Sequence, residues 1–435
     1  MDTARADALA ARSHLATQGW IARQAESFRH LPPPPAALWL GEAAEAACDA
    51  TPLEGGWKLH PMAHTPRAEV DARWLDAADA AQRAELMADL PLPGDDEAAP
   101  FAWAHRALVR QGLRLRIGGG ASEQGTAWLQ LERRPSAAVE APLLVVDVLP
   151  GARCVLVESH EPRPAARRGE FPLGGTGPKA QGCTSARGPA DCGHGVVQNL
   201  QVHIRLGAGA SLQHLRISLP GADDHIAHHV QVRLERDACY QQCLLAGGSR
   251  YHLQRGVFDL RGARAKAGTA GVLLAAGNTL EQQVRLLHGA AHTHSAADTL
   301  ALGAGAAHIV ANAHSHIAAG CDEAQTRQRL TGIPTSGQPR LVLRPHLEIH
   351  HDQVQAAHGA TWGALPQEAL FHARQRGLDE RTAKAMILQG LASALFARGV
   401  DDDSVLEAIG IDAVLARAVD RHLQATTEQE ERHHG

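Results

Sequence analysis

Leu149-Pro150-Gly151-Ala152-Arg153-Cys154, Leu206-Gly207-Ala208-Gly209-Ala210, Leu260-Arg261-Gly262-Ala263-Arg264-Ala265 and Leu302-Gly303-Ala304-Gly305-Ala306 are four versions of one turn. Each follows a short apolar run and introduces another. The runs at 143–148, 155–157, 200–206, 212–219, 230–234 and 341–343 have the period-two look of strands. A strand–turn–strand unit that recurs with an imperfect period points to a solenoid, whose rungs stack and bury their inner faces against one another. A β-sandwich is the competing arrangement. Composition favours the solenoid: hydrophobic residues make up 44% of the 435, aromatics only 3%, and glycine is abundant. Val, Leu, Ile and Ala with few rings suit thin, regular layers. The fold class expected is mainly β, a solenoid.

Outward from this core the pattern becomes helical. The first thirty residues carry Leu9, Leu15, Trp20, Ile21 and Phe28, and Pro32 to Pro35 stop any helix there. A second helix is expected over 68–90 from Val70, Trp74, Leu75, Leu86 and Met87, followed by a polar linker over 91–100. Residues 101–111 read as a short helix feeding a strand at 113–117. Past Thr361, Leu370 and Phe371 share a helical face, Gly377 ends that helix, and Asp379 caps another with Met386, Ile387 and Leu391. A last helix holds Val405, Leu406, Ile409, Val414, Leu415 and Leu423. The expected organisation is an N-terminal helical region (1–100), a β-helix core (101–364) with a flexible Pro/Gly-rich loop around 159–195, a C-terminal helical region (365–424) and a disordered tail (425–435).

The net charge of −5 gives no reason to expect nucleic acid or an anionic membrane. No apolar run of about 18 residues occurs, and the acid-bearing start Met1-Asp2-Thr3-Ala4-Arg5 does not read as a secretory signal. The seven cysteines (48, 154, 183, 192, 239, 243 and 321) are odd in number and irregular in spacing, which suits reduced thiols in the cytoplasm. Gly174-Gly175-Thr176-Gly177-Pro178-Lys179 has the wrong spacing for a phosphate loop, and no HExxH or GxSxG is present. The unusual feature is histidine, with 27 residues. His225, His228 and His229 cluster, as do His346, His350 and His351. His292/His294 and His314/His316 would each turn two imidazoles to one side of a strand. Such pairs suit a borderline metal, or they are solvated and hydrogen-bonded, and no carboxylate at fixed spacing decides between these. Cys183, Cys192 and His194 resemble a metal loop only loosely; Cys239 and Cys243 share a face as packed thiols.

One segment is more specific. Pro345-His346-Leu347-Glu348-Ile349, Asp352-x-Val354 and His358-Gly359-Ala360-Thr361-x-Gly363, continuing to Arg376-Gly377-Leu378, resemble the signature of the SufB/SufD family of iron–sulfur cluster assembly scaffolds. Weaker agreement runs upstream through Val157-Glu158-Ser159-His160. The resemblance implies a right-handed parallel β-helix and a non-catalytic role. It also implies pairing with a SufB-like paralogue and docking of a SufC-like ABC-type ATPase on the C-terminal helices. The isolated chain would be a candidate homodimer. The rung Gln325 to Gly332 carries no thiol where SufB carries its cluster cysteine, which favours the SufD branch. His358 matches the family histidine at the subunit interface, a candidate ligand for iron or a transient iron–sulfur cluster shared with SufB, with none permanently bound. The alternative for His358 is a backbone hydrogen bond that caps the last rung. Ala356-Ala357 stand where some relatives have Cys-Ser. Rival readings are a β-helix carbohydrate-active enzyme, against which the sparse acids of 240–360 count, a SufB-like chain, and an interaction solenoid without metal.

Overall fold

A computed structural model describes residues 3–42, 56–62, 69–118, 125–160, 195–400 and 404–434. Strands alternate between two sheets. Sheet A runs through Gly56–Pro61, Thr126–Arg134, Arg153–His160, Ser211–Ser218, Cys239–Gly247, Lys266–Ala276, His294–Gly305, Ala324–Gly337 and Val354–Trp362. Sheet B runs through Glu69–Asp76, Gln111–Gly118, Leu143–Val148, Val197–Leu206, His225–Leu234, Tyr251–Leu260, Thr279–His288, His308–Ile317 and Arg340–Ile349. The first pair of each sheet is antiparallel, and the pairs that follow along each sheet are parallel. Val197, His225 and Tyr251 stack in register across three turns. The result is a β-solenoid of about eight turns with helices at both ends, as the repeated turns predict.

The turns explain the stacking. Gly151, Gly209, Asp237, Arg264, His292 and Glu323 occupy one corner of successive turns with φ between 56° and 71°. Each N–H crosses to the next turn, as from Asp237 to Ala263 O (3.0 Å) and from His292 to Asp322 O (2.7 Å). Glycine takes this left-handed conformation freely, whereas other residues pay about 1 kcal/mol or more. The Arg264 guanidinium bonds both oxygens of Asp237 one turn away (2.6 and 2.7 Å), which offsets part of that cost. The fourth turn quoted above lies at the other corner: Gly305 closes a strand, and Ala304 O accepts from Gly277 N at 3.1 Å.

Inside, Leu144, Ile204 and Val232 of sheet B meet Leu129, Leu212 and Leu273 of sheet A. The outer faces are also apolar and are covered by the terminal regions. Helices α1 (Thr3–Gln18), α2 (Ala36–Trp39) and α4 (Ala99–Leu108) place Leu15, Trp39 and Phe101 on Val197, Ala227 and Leu253 of sheet B, while α3 (Ala80–Leu86) covers Leu143 and Val145. Helices α5 (Gln367–Gln375), α6 (Glu380–Ala397), α7 (Ser404–Ala408) and α8 (Ile411–His434) form the cover of sheet A. There Leu388, Leu395, Phe396 and Leu415 pack on Leu245, Val272 and Leu302.

Three expectations change. The stretch 68–90 is a strand, Glu69–Asp76, followed by the short α3. Val70, Ala72 and Trp74 alternate, and the free edge of Gln111–Gly118 gives them register partners in Ile117, Leu115 and Leu113. Residues 425–434, expected to be disordered, continue α8, since Gln, Glu and Ala there favour a helix and no glycine intervenes before Gly435. Ser159 and His160 belong to a strand, not to the expected loop. Residues 161–194, with Cys183, Cys192 and His194, lie outside the described residues, as does Cys48.

The cover on sheet B buries one carboxyl, Glu281, at 1% exposure, where Gln283 Nε2 donates to it at 2.9 Å. Burial pushes this carboxyl up to about 8. Folded protein therefore holds its proton longer than the unfolded chain, whose glutamate titrates near about 4.3. The stability this supports is complete below that pH and is lost as pH rises through 8. Glu281→Gln, neutral throughout, is expected to melt close to wild type at about pH 5 and a few degrees above it at about pH 8.5. Thermal denaturation at the two pH values checks this.

Candidate functional site

The two ends of the solenoid differ. At the N-terminal end, the antiparallel strands Gly56–Pro61 and Glu69–Asp76 close the sheets. At the other end, Arg340–Ile349 and Val354–Trp362 are the last strands of sheets B and A, and among the described residues nothing pairs with their outer edges. Their largely exposed faces show this, with Ile349 and Trp362 at 40% and 61%. A bare edge is a row of free backbone donors and acceptors, ready to accept another strand.

His358 sits in the last of these strands. Ala360, two residues on, packs against the interior core, so alternation turns His358 to the interior side as well. It is exposed because the end is open. Its register partner is Gln328, in the rung that carries no thiol. Gln328 is buried, donates to Ser315 Oγ (2.8 Å) and His346 O (2.9 Å), and leaves its Oε1 without a hydrogen bond. Among the described residues the His358 imidazole makes no hydrogen bond or ion pair, while its backbone is held in the ladder with Ala324–Gly337. Gly359 beside it faces open space. An unengaged imidazole on an open end can donate a nitrogen to a metal that other groups help to hold.

A second cluster was not legible in the sequence because its members lie on three strands. Glu158, fully buried, receives His160 Nε2 at 2.5 Å and His214 Nε2 at 2.9 Å, with His228 Nε2 at 3.6 Å. The Tyr240 hydroxyl holds His214 Nδ1 at 3.0 Å. Burial alone would raise the Glu158 carboxyl, but hydrogen bonds from His160 and His214 outweigh it and hold it well below the usual range. Burial pushes the His214 and His228 imidazoles down. Glu158, His160 and His228 have the donor atoms for a metal, yet the Arg216 guanidinium at 3.7 Å already supplies the opposite charge. The cluster is thus a buried ion pair in which both His228 ring nitrogens lack a hydrogen bond.

The remaining sequence candidates separate. His228 and His229 point to opposite faces, the latter against Phe101 at 5.0 Å. His292 stands in a turn bonded to Glu323 (3.1 Å), so it shares no strand face with His294. His314 and His316 do share one, and Glu348 of the next strand and His350 just after it join them. Cys154 and Cys243 are buried; burial pushes the Cys243 thiol up to about 12, which leaves it a packed, unreactive group. On α5 and α6 most apolar residues are spent on sheet A, but Phe371 and Met386 remain 58% exposed. Leu370 and Phe371 therefore do not share a face.

The two histidine environments give opposite expectations for stability. Glu158→Ala would leave Arg216 buried without its counter-charge and should cost about 3–5 kcal/mol. His358→Ala should stay within about 0.5 kcal/mol of wild type, because the ring is exposed and unbonded. Denaturant unfolding of both variants checks the contrast.

Residues 180–391 match the family model described as SUF system FeS cluster assembly, SufBD core domain. Among curated proteins, the iron–sulfur cluster assembly protein SufD of Escherichia coli (strain K12) is 40% identical over 52 residues, a stretch covering 12% of this chain and 12% of that relative's length. With the solenoid and its turn register already established, these matches support membership of the SufB/SufD family.

Proposed function

We propose that this chain is a SufD-type scaffold subunit of iron–sulfur cluster assembly that carries out no catalysis of its own. The observation that carries the reading is the open end of the solenoid, where two edge strands present backbone, Trp362 and the unengaged His358 together. A SufB-like paralogue with the same fold would extend both sheets across this end, and a second copy of this chain would do so in its absence. Strand addition supplies the affinity, and a large exposed aromatic at the seam suits a binding hot spot. His358 would then face the joint interior, where a neutral imidazole accepts iron as histidine does in other iron–sulfur sites. The cluster or iron is cargo, held between the subunits with donors the paralogue supplies. Among the described residues no helix is long and apolar enough to cross a membrane, and buried, unpaired thiols suit a reducing cytoplasm.

Phe371 and Met386 are the apolar groups that α5 and α6 leave uncovered, and they would receive the SufC-like ATPase. Removing the C-terminal helices altogether would expose the apolar outer face of sheet A, so point changes are the cleaner probe. Phe371→Asp with Met386→Asp is expected to abolish co-purification of the ATPase while the thermal midpoint stays near wild type; retained binding would refute the docking site.

His358→Ala in the co-expressed complex is expected to lower bound iron and sulfide several-fold with partner binding and melting unchanged. Iron and sulfide analysis of the purified complex decides it, and normal cluster content with intact partners defeats the ligand role.

A further inference from the structure

Five side chains on the outer face of sheet B form a grid. His314 and His316 come from His308–Ile317, and His346, Glu348 and His350 come from the last strand and the residue after it. The register sets His314 beside His346 and His316 beside Glu348. Interior residues such as Ala311, Ala313 and Leu343 alternate with them, so all five point outward. Glu348 is the hub. Its Oε1 lies 2.9 Å from His350 Nε2 and 3.8 Å from His316 Nε2, and its Oε2 lies 3.2 Å from His314 Nε2.

We propose that this grid binds one first-row divalent cation, zinc or ferrous iron, through His316, Glu348 and His350. Two imidazoles and a carboxylate are a donor set that suits both ions. Bonds of about 2.0–2.1 Å in tetrahedral geometry place donor atoms about 3.3 Å apart. The donor atoms here already lie within 4.8 Å of one another, and the two separations from Oε1 bracket that spacing. The remaining histidines orient the site: His314 steadies the second carboxylate oxygen, and His346 packs edge-on against His314 at 4.7 Å between ring centres. Strands hold His316 and Glu348 more firmly than a loop would, and His350 follows directly with its N–H donating to Ile317 O at 2.9 Å. Glu348 and His350 are about half exposed, which leaves the ion a way in.

Charge separates this grid from the buried Glu158 cluster. There Arg216 stands 3.7 Å from the carboxylate. Here the nearest cation across the sheet is Arg285, the register partner of His314, and its guanidinium reaches Asp96 at 3.5 Å. A cation therefore meets one carboxylate with no guanidinium bonded to it. The site is also independent of His358, which lies on the interior side of the other sheet.

The test uses the full chain, purified alone and stripped of metal. Titration with zinc chloride, and with ferrous salt under anaerobic conditions, should show saturable uptake of one ion per chain by equilibrium dialysis and elemental analysis. Glu348→Gln, His316→Asn and His350→Asn should each weaken binding at least 10–100-fold, the loss that changes outside the ligand set already cause. His292→Asn, in the exposed His292–Glu323 pair, should bind like wild type. Absence of stoichiometric uptake, wild-type binding by the three ligand variants, or equal loss in the His292 control would each overturn the proposal. Because no partner is present, this outcome is independent of whether the scaffold role holds.

Discussion

A parallel strand satisfies its backbone through the strand before it and the strand after it, so a stack of parallel turns must resolve both of its ends. This chain resolves them differently. Residues 56–76 supply two antiparallel strands that close the start of the stack. Among the described residues nothing closes the finish, and the last strands carry exposed Ile349, Trp362 and His358 at an unpaired edge. Such an edge invites uncontrolled association unless a partner is meant to cover it. The family's signature residues lie in those last two strands, so the part of the sequence most specific to the family is also the part the fold leaves unfinished.

The same geometry assigns work to the terminal regions. Strands in a solenoid this regular carry apolar residues on both faces, and an uncovered outer face would be a large adhesive patch. The N-terminal helices cover sheet B and the C-terminal helices cover sheet A. Most of the apolar stripe on α6 is consumed in this way, since Leu388, Leu395 and Phe396 are buried against the sheet. The large apolar side chains that α5 and α6 leave exposed are Phe371 and Met386.

Two carboxylates show how depth decides chemistry. Glu158 and Glu348 are each ringed by histidines, and each lies at hydrogen-bond distance from more than one imidazole. Glu158 is sealed inside with Arg216, so its charge is answered within the chain and its role is to hold three strands together. Glu348 stands at the surface with no guanidinium bonded to it, so its charge is open to an ion from solution.

The solenoid itself was legible in the sequence, because small left-handed turn residues and alternating runs recur wherever a turn stacks on the last. The helices after Thr361 were legible from caps and apolar spacing. All of these are local signals, written within a few residues. The apolar residues of 69–76 fit either a helical or a strand period; the edge of Gln111–Gly118 makes them a strand, and that edge exists only in the folded chain. Likewise His314 and His316 lacked a carboxylate in the sequence, while Glu348 reached them from a strand one full turn later. Sequence alone determined the repeat, the turn chemistry and the family signature. Tertiary structure decided which end stays open, which faces are covered and which histidines meet an acid, because stacking brings together residues that lie far apart along the chain.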